Sequence, residues 1–301
     1  MTPTPTPLEE HTLAGRRLLL KREDDHELGA FKWRGALPVL EGYARDGAQA
    51  VVTASTGNHG AATAWAAARL GLKAVVYAPA TASRAKLTLI CDLGAEIRQT
   101  GADLDEAKEE GRAHASRTDQ PFFEDGAERA QYQGYGAIGD EILAQAETMP
   151  AAIVVPLGNG ALLGGIGLAI SRAAPAVERI GTAAKEAPVM IDSWTARQPV
   201  VCDRSDTFAD GLAVRVAIPL AVEVLGEVAT RMLTVSERRI AEAVADYAEA
   251  GIRAEGAAAA ALAAVPQLDD VGDPLVLIVT GRNIDDELFT RACEQPSSFP
   301  D

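Results

Sequence analysis

The sequence predicts an α/β protein made of two three-layer α/β domains with mostly parallel sheets. Short apolar runs that are typical of buried strands alternate with helical stretches along most of the chain. In proteins with this alternation, helices cover both faces of a parallel sheet. The chain has 301 residues, of which 48% are hydrophobic and 24% charged, so it is long enough for one large or two medium domains.

The first half of the chain shows this pattern most clearly. Apolar positions recur at helical spacing after residue 31, and the alanine-rich stretch after residue 60 has high helix propensity. We predict strands at residues 18–22, 50–54, 73–77 and 95–98, and helices at residues 31–44, 61–70, 83–93 and 104–116. A polar loop, residues 55–60, joins the second of these strands to the second helix.

The second half contains one further unit of the same kind, followed by less regular sequence. We predict strands at residues 151–155, 232–235 and 275–279, and helices at residues 135–146, 162–173, 220–228 and 236–250. A loop of small residues, 158–161, follows the first of these strands. Residues 180–213 show no regular pattern, and we predict little secondary structure there. We predict none for the alanine run after Glu255.

Charge and cysteine content exclude several classes of function. The formal net charge of −15 at pH 7 argues against nucleic acid or an anionic membrane as a partner, because both would repel an acidic surface. Cys91, Cys202 and Cys293 are far apart and odd in number, which predicts neither a disulfide framework nor a zinc site. The N-terminus lacks a basic leader and no apolar run reaches bilayer-spanning length, so we expect a cytoplasmic protein.

Lys32 is the first candidate for chemistry. It lies between a strand-like run and a helical one, with Phe31 beside it and small residues around it. A lysine in such surroundings can be desolvated and act as a nucleophile, although most lysines are solvated surface charges. Lys32 alone does not decide between these two interpretations.

The glycine loop at residues 158–161 is a candidate phosphate site. The dinucleotide fingerprint requires a third glycine three places after Gly160, and that position is Leu163, so a dinucleotide site is disfavoured. A loop of small residues at a helix N-terminus can still bind a phosphate through backbone N–H groups and the helix dipole. The alternative is a close contact between helix and sheet that only glycines allow.

Two further strand ends carry polar side chains. Ser55 and Thr56 supply hydroxyls and Asn58 an amide at a helix start, an arrangement that suits a carboxylate but equally a helix cap. His59 is expected to make a local hydrogen bond. Thr280 follows a buried strand, where open α/β sheets bind ligands, although its hydroxyl could simply donate to a nearby carbonyl.

Five segments, taken together, resemble the pyridoxal-phosphate-dependent enzymes of fold type II, in particular their serine/threonine dehydratase and serine racemase branch. The segments are GAFKWRGA at residues 29–36, TASTGNHG at 53–60, VPLGNGALLGG at 155–165, FADGLAV at 208–214 and VTGRNID at 279–285. The resemblance covers residues 18–285, nearly the whole chain. One such segment carries little weight, whereas five in this order are specific.

This resemblance implies pyridoxal 5′-phosphate as the cofactor and gives roles to single residues. Lys32 matches the lysine that is linked covalently to the cofactor and later acts as the base at the substrate α-carbon. The resemblance also implies that Phe31, the preceding residue, binds the cofactor. Asn58 matches the residue that bonds the ring hydroxyl, and Thr280 matches the hydroxyl residue that faces the pyridine nitrogen.

The remaining matches concern the phosphate and the substrate. The implied phosphate loop consists of Gly158, Asn159, Gly160, Ala161 and Leu162. The implied loop for the substrate carboxylate consists of Ser55, Thr56, Gly57, Asn58 and His59. Of these, Thr56 is also assigned to catalysis.

Thr280 bears on the type of reaction. A hydroxyl can donate to an unprotonated pyridine nitrogen, whereas an aspartate would hold that nitrogen protonated and make the ring a stronger electron sink. A neutral ring stabilises a carbanion less. We therefore expect a β-leaving group to depart as the α-proton is removed, in preference to transamination.

Three departures from the family pattern narrow the expected function. Asn159 and Ala161 stand where the phosphate loop usually has glycines. Thr56 replaces the serine of the racemases, and its added methyl disfavours racemisation. Ala183 and Val189 stand at two ligand positions of a divalent-metal site found in related enzymes, so we expect no metal there.

The resemblance thus implies an enzyme, a lyase that converts a hydroxy amino acid such as serine, threonine or 3-hydroxyaspartate to a 2-oxo acid and ammonia. A racemase, a β-replacement synthase of the same fold, and a cofactor-binding protein without turnover remain as alternatives. We expect a homodimer whose small-molecule substrate is an amino acid. Residues 48–127 are expected to form a small domain inserted into a larger one, residues 1–47 and 128–301, with the cofactor in the cleft between them.

Overall fold

A computed structural model of the chain describes residues 4–82 and 84–301. Its strands are β1 (Leu8–Leu13), β2 (Arg16–Arg22), β3 (Ala50–Ala54), β4 (Lys73–Ala78), β5 (Glu96–Gln99), β6 (Ala152–Pro156), β7 (Glu178–Ala184), β8 (Arg231–Val235) and β9 (Leu275–Val279). Its helices are α1 (Trp33–Arg45), α2 (Asn58–Leu70), α3 (Arg84–Asp92), α4 (Leu104–Thr118), α5 (Arg129–Gln145), α6 (Ala161–Ala173), α7 (Val189–Ala196), α8 (Pro219–Val228), α9 (Glu237–Glu249), α10 (Gly256–Ala263) and α11 (Asp286–Glu294). Short 3-10 helices occur at Glu23–Asp25, Asp210–Leu212, Val265–Gln267 and Pro296–Ser298.

The chain divides into two compact units. The large unit consists of Met1–Phe31 and Tyr135–Asp301, and the inserted unit consists of Lys32–Gly134. The boundaries expected from the sequence, 48 and 127, leave α1 outside the insertion. In the structure α1 packs on α2, and the rings of Trp33 and Trp65 meet edge to face with centroids 6.1 Å apart, which explains why α1 belongs to the inserted unit.

A six-stranded sheet forms the centre of the large unit. Its strand order is β1-β2-β9-β6-β7-β8, and every neighbouring pair is parallel except β1 with β2. The central strands β6 and β9 have the sequences AIVVP and LVLIV, and all their residues are buried. Continuous apolar strands of this kind are typical of a parallel sheet with both faces covered. β9 pairs with β2 on one side and with β6 on the other.

The inserted unit contains a smaller parallel sheet of three strands, in the order β3-β4-β5. Its core includes Val52, Val75 and Tyr77 from the strands and Ala107 and Ala115 from α4. α4 begins at Asp103, whose carboxylate accepts hydrogen bonds from two backbone N–H groups of the first turn, as N-cap residues do. The end of β3 leads directly into the polar loop that precedes α2.

The predicted α/β class with mostly parallel sheets is confirmed by this topology. The predicted strands and helices of the first half match structural elements within a few residues, although Ser83, the predicted start of α3, lies outside the described residues. No helix in the described part of the chain combines the length and the apolar character needed to cross a bilayer.

Five elements were not assigned from the sequence, each for a physical reason. β1 is an edge strand of mixed burial, so its sequence LEEHTL lacks an apolar run. β7 is built largely from glycine, threonine and alanine, which have little of the bulk that marks a buried strand. α10 is buried along its whole length and therefore shows no polar face. The other two, α7 and α11, are short helices of 8 and 9 residues.

A buried ion pair fixes β2 to the helical layer within the large unit. The ammonium of Lys21, fully buried, donates to Glu141 Oε2 at 2.6 Å, to Gln145 Oε1 at 2.8 Å and to the carbonyl oxygen of Thr6 at 2.7 Å. A buried ammonium with three acceptors has all its N–H groups satisfied. Removing one partner of such a pair leaves the other charge without compensation.

We therefore expect Lys21→Met to lower the free energy of unfolding by about 3–5 kcal/mol, because the Glu141 carboxylate, only 14% exposed, would lose its cation. Urea unfolding followed by far-UV circular dichroism measures this change. The double variant Lys21→Met/Glu141→Leu removes both charges and should recover part of the loss. Arg239→Met, which breaks the exposed pair with Glu242, should have little effect. Equal losses in all three variants would contradict this account.

Candidate functional site

Two of the predicted segments lie at the same edge of the large sheet. β6 ends at Pro156 and leads into the glycine loop, and β9 ends at Val279 and is followed by Thr280. β6 and β9 are parallel neighbours. Since the carboxyl ends of parallel strands meet at one edge, the glycine loop and Thr280 occupy the edge where open α/β sheets bind ligands.

The glycine loop presents the N-terminus of α6. Gly160 is the N-cap of this helix and has φ +88°, a left-handed conformation that a glycine adopts without strain. A Cβ at this position would also lie 2.6 Å from Cδ1 of Leu225. Asn159 Oδ1 accepts the N–H of Ala161 at 3.1 Å, so the asparagine that departs from the family pattern binds within the loop. The first-turn N–H groups of a helix lack intrahelical acceptors, and this suits a phosphate.

The segment FADGLAV lies against the glycine loop. A Cβ on Gly158 would overlap the carbonyl oxygen of Gly211, which belongs to the short 3-10 helix Asp210–Leu212. Gly211 in turn has the Cβ of Ala257 2.8 Å from the position of its own missing Cβ. Three separated stretches of sequence therefore pack so closely that only glycine fits at two of their contacts.

The hydroxyl of Thr280 is buried at the position where a ligand could bind it. The residue is 2% exposed, and its Oγ1 has no hydrogen-bond partner among the residues that the structure describes. Leaving a buried hydroxyl unpaired costs about 1–3 kcal/mol. The predicted alternative, donation to a nearby carbonyl, is therefore absent from the described residues. An unpartnered hydroxyl beside a helix N-terminus on one sheet edge fits the ring nitrogen and the phosphate of pyridoxal phosphate.

The turn before Lys32 is attached to the end of β9. Phe31 donates its backbone N–H to the carbonyl oxygen of Thr280 at 3.0 Å, and Asn283 Nδ2 donates to the carbonyl oxygen of Leu28 at 2.8 Å. Gly29 has φ +64°, and a Cβ there would lie 2.7 Å from Asn283 Oδ1. The segments GAFKWRGA and VTGRNID thus meet at this turn. The ring of Phe31 packs on Tyr135, with centroids 5.1 Å apart.

Glu255 is a buried carboxylate that was not a candidate in the sequence. It is 8% exposed, and its backbone N–H donates to the carbonyl oxygen of Gly281 at 3.0 Å. Its Oε1 lies 2.8 Å from the position that a Cβ of Gly281 would occupy. A single acidic residue at the start of an alanine helix is a signal that could have drawn attention to it.

In the inserted unit, the polar loop after β3 leaves the start of α2 open. Gly57 is the N-cap of α2, and among the described residues no side chain caps the helix there. The hydroxyl of Ser55 accepts the N–H of Gly57 at 3.1 Å, so it binds within the loop. Thr56 and Asn58 are partly exposed. The predicted alternative, a cap formed by Ser55 or Thr56, is therefore not observed, and the first N–H groups of α2 can receive a carboxylate.

Lys32 forms a close ion pair within the inserted unit. Its Nζ donates to Asp125 Oδ2 at 2.5 Å, and the two side chains are 17% and 23% exposed. Burial raises the pKa of Asp125, but the positive charge of Lys32 and the hydrogen bonds from Lys32 and Gln131 outweigh this and hold the pKa well below its usual range. Sequence reasoning missed Asp125, because it lies 93 residues from Lys32 and belongs to none of the recognised segments.

His59 is buried beside the same carboxylate. Its Nε2 is 2.9 Å from Thr53 Oγ1 and 3.3 Å from the carbonyl oxygen of Phe123, which can only accept, so Nε2 carries a proton. Burial lowers the pKa of His59 despite the opposing effect of Asp125. The neutral ring therefore makes the local hydrogen bonds expected of it. Its Nδ1 lies 3.7 Å from Asp125 Oδ1.

The two positions that correspond to metal ligands in related enzymes carry apolar side chains. Ala183 lies in β7 and Val189 begins α7, and both are buried. Within residues 4–82 and 84–301, histidine, cysteine and acidic side chains form no group of three or more that could bind a metal ion. The prediction of a metal-free site stays a prediction.

Comparison with known proteins identifies the family. The family model for pyridoxal-phosphate dependent enzymes matches residues 1–281. The L-threonine ammonia-lyase of Thermotoga maritima is 33% identical over 284 residues, which cover 93% of this chain and 70% of that protein. The processed threonine deaminase isoform 2 of Solanum lycopersicum superposes with a TM-score of 0.90 at 27% identity, over 97% of this chain and 88% of that one.

Maize serine racemase has a TM-score of 0.89 at 24% identity, over 98% of this chain and 93% of that one, and this likeness concerns the fold alone. The predicted α/β fold, the enzyme class and the cofactor are confirmed by these matches. The chain is an enzyme that uses pyridoxal phosphate, and it belongs to the family of pyridoxal-phosphate-dependent enzymes.

Proposed function

We propose that the chain is an ammonia-lyase that removes the β-hydroxyl of an amino acid such as serine, threonine or 3-hydroxyaspartate and releases a 2-oxo acid and ammonia. The observation that carries this proposal is the buried hydroxyl of Thr280, which has no partner among the described residues at the ligand-binding edge of the sheet. The relationship to the L-threonine ammonia-lyase of Thermotoga maritima supports it. When bound, pyridoxal phosphate supplies an electron sink next to the substrate α-carbon.

Each contact to the cofactor has its own residues in this proposal. When the cofactor is bound, Lys32 would form the covalent link, Asn58 would bond the ring hydroxyl, Phe31 would contact the cofactor, and Thr280 would donate to the ring nitrogen. The phosphate is held by the N-terminus of α6 through Gly158, Asn159, Gly160, Ala161 and Leu162. The close contacts around Gly158 and the left-handed conformation of Gly160 support this assignment, because neither residue places a side chain in the loop.

Thr280 favours elimination for an electrostatic reason. A hydroxyl donates one proton to a neutral ring nitrogen and supplies no negative charge that would keep the nitrogen protonated. Negative charge at the α-carbon is then stabilised less. Loss of a β-hydroxyl as the proton is removed avoids this charge, because the C–H electron pair forms the double bond to the β-carbon.

The substrate is held and activated by the inserted unit. The uncapped N-terminus of α2, with Ser55, Thr56, Gly57, Asn58 and His59, binds the substrate carboxylate, which is an anion that a helix N-terminus stabilises. Lys32 takes the α-proton. Thr56 acts as the second catalytic residue, and its β-methyl restricts the approach of its hydroxyl in comparison with a serine.

A racemase is the second candidate, and Glu255 is the observation that favours it. This buried carboxylate lies beside Gly281, the residue after Thr280. Negative charge near the ring nitrogen would favour the protonated form of that nitrogen. Product analysis separates the two functions: an ammonia-lyase releases a 2-oxo acid, whereas a racemase produces the other enantiomer without ammonia. Each L- and D-amino acid named above should be assayed for both products.

The location and the assembly of the enzyme are further proposals. The acidic composition and the lack of a spanning helix in the described residues are compatible with the cytoplasm. A homodimer is proposed by analogy with the family.

The covalent link gives the most direct test of the site. The purified enzyme should be yellow and should lose its visible absorbance on borohydride reduction, after which peptide mass spectrometry should find the cofactor on Lys32. Lys32→Ala should abolish 2-oxo acid formation, since the base is lost. Lys108→Ala serves as the matched control and should keep its colour and activity. Cofactor on another lysine, or turnover by Lys32→Ala, would rule out the assignment.

The phosphate loop can be tested by adding one methyl group. Gly158→Ala should weaken cofactor binding about 5- to 150-fold, because the added Cβ forces the loop away from the carbonyl oxygen of Gly211 at a cost of about 1–3 kcal/mol. Absorbance titration of the cofactor-free protein measures the dissociation constant. Gly42→Ala, on an open face of α1, should leave it unchanged. An unchanged constant in Gly158→Ala would place the phosphate elsewhere.

Activity should survive thorough chelation, since the two positions compared with a divalent-metal site carry Ala183 and Val189. The rate of 2-oxo acid release should stay the same after dialysis against EDTA and after later addition of Mg²⁺ or Ca²⁺. A large loss that either ion reverses would show that a metal contributes.

A further inference from the structure

The ion pair between Lys32 and Asp125 has a carboxylate that is itself held in place. Asp125 Oδ1 accepts from Gln131 Nε2 at 2.5 Å, while Oδ2 accepts from Lys32. Gln131 is fully buried, and its Oε1 accepts the N–H of Gly126 at 2.7 Å, which fixes the orientation of the amide. The carboxylate is therefore oriented by Gln131 and not by the lysine alone.

The turn that carries Asp125 is also fixed. The hydroxyl of Tyr132, on α5, donates to the carbonyl oxygen of Gly126 at 2.8 Å in a buried position. Gly126 has φ +94°, which allows the chain to reverse directly after the aspartate. Two side chains of α5 thus hold the turn in one place, and the aspartate reaches Lys32 from that turn.

Other titratable groups of this unit lie near the pair. The neutral ring of His59, on α2, lies on the other side of the carboxylate, with its Nδ1 3.7 Å from Oδ1. Lys108, on α4, acts electrostatically on His59 and pairs with Glu124 at 3.3 Å. Within the inserted unit, Lys32 is thus a cation in direct contact with Asp125.

We propose that Asp125 is a positioning residue for Lys32, which holds the amino group of the lysine in one place through their ion pair. The catalytic part of this role rests on the proposed function. A carboxylate at 2.5 Å stabilises the ammonium relative to the amine, because opposite charges in contact favour the charged forms of both groups.

This role matters at the moment when Lys32 takes a proton from the substrate. The α C–H bond breaks and an N–H bond forms, so the lysine becomes an ammonium ion beside Asp125. The C–H electron pair forms the double bond to the β-carbon, the C–O bond breaks, and the hydroxyl leaves with its electron pair and takes the proton as water. Asp125 stabilises the ammonium between these two proton movements and remains a carboxylate throughout.

Asp125→Asn tests the proposal without using activity. Competitive acetylation of the full-length chain, freed of cofactor, with acetic anhydride at a series of pH values gives the reactivity of each lysine by peptide mass spectrometry. In Asp125→Asn, Lys32 should react at least about tenfold faster at a fixed pH, because its amino group is no longer held in the ion pair. The Lys108 profile, measured in the same sample, should not move.

A neighbouring carboxylate provides the matched control. Glu124 precedes Asp125 and pairs with Lys108 and Arg112, so Glu124→Gln should move the Lys108 profile and leave that of Lys32 in place. Asp125→Glu should restore most of the wild-type Lys32 profile, because it keeps the charge. Asp125→Ala covers the case in which the asparagine variant does not fold. An unmoved Lys32 profile in a folded neutral variant, or an equal shift in Glu124→Gln, would overturn the proposal.

The loaded enzyme gives a second and separate result. The kcat of Asp125→Asn should fall with little change in KM. If borohydride does not place the cofactor on Lys32, the proposed function fails while the acetylation result still stands. If the cofactor is on Lys32 and neither the acetylation reactivity of Lys32 nor kcat changes in Asp125→Asn, only the role of Asp125 fails.

Discussion

The parallel pairing of β9 with β2 and β6 is the constraint on which the large unit depends. Thr280 follows β9 and the glycine loop follows β6. The turn at Gly29, after β2, is hydrogen-bonded to the segment that follows β9. Because these strands run in one direction, their ends share one edge of the sheet. The buried apolar sequence of β6 and β9 fixes this register, since a slip of one residue would change which side chains meet the helices.

In the inserted unit, the side chain of Lys32 is partly exposed to solvent and is held in place by an ion pair. A buried ammonium without a counter-ion is unstable, and a fully solvated one is not positioned. The carboxylate of Asp125, oriented by Gln131, provides the counter-ion at the N-terminal end of α1, where Lys32 is the N-cap. Packing of α1 on α2 through Trp33 and Trp65 connects this end of α1 with the helix that begins at Asn58.

Sequence patterns predicted the parts of the molecule in which apolar strands and helices alternate regularly. The alternation of apolar and helical stretches reflects packing between neighbouring layers, and the glycine loop and Thr280 follow strands that are recognisable by themselves. Asp125 could not be found in this way, because its importance comes from a contact with Lys32 that no local pattern encodes, whereas the sequence signal for Glu255 was its place before the alanine run. α10 was missed for a related reason, since its burial on all sides removes the periodicity that marks a helix.

The position of β9 in the chain has a consequence for biosynthesis. Leu275–Val279, a central strand of the six-stranded sheet, is the last of its six strands in sequence, so β2 and β6 lack their shared partner until all the other strands have been synthesised. The sheet of Lys32–Gly134 pairs only strands that are close in sequence, and it can form while the ribosome is still extending the chain. The nascent polypeptide thus exposes the apolar edges of β2 and β6 for the longest time, and these edges are where chaperones would bind it.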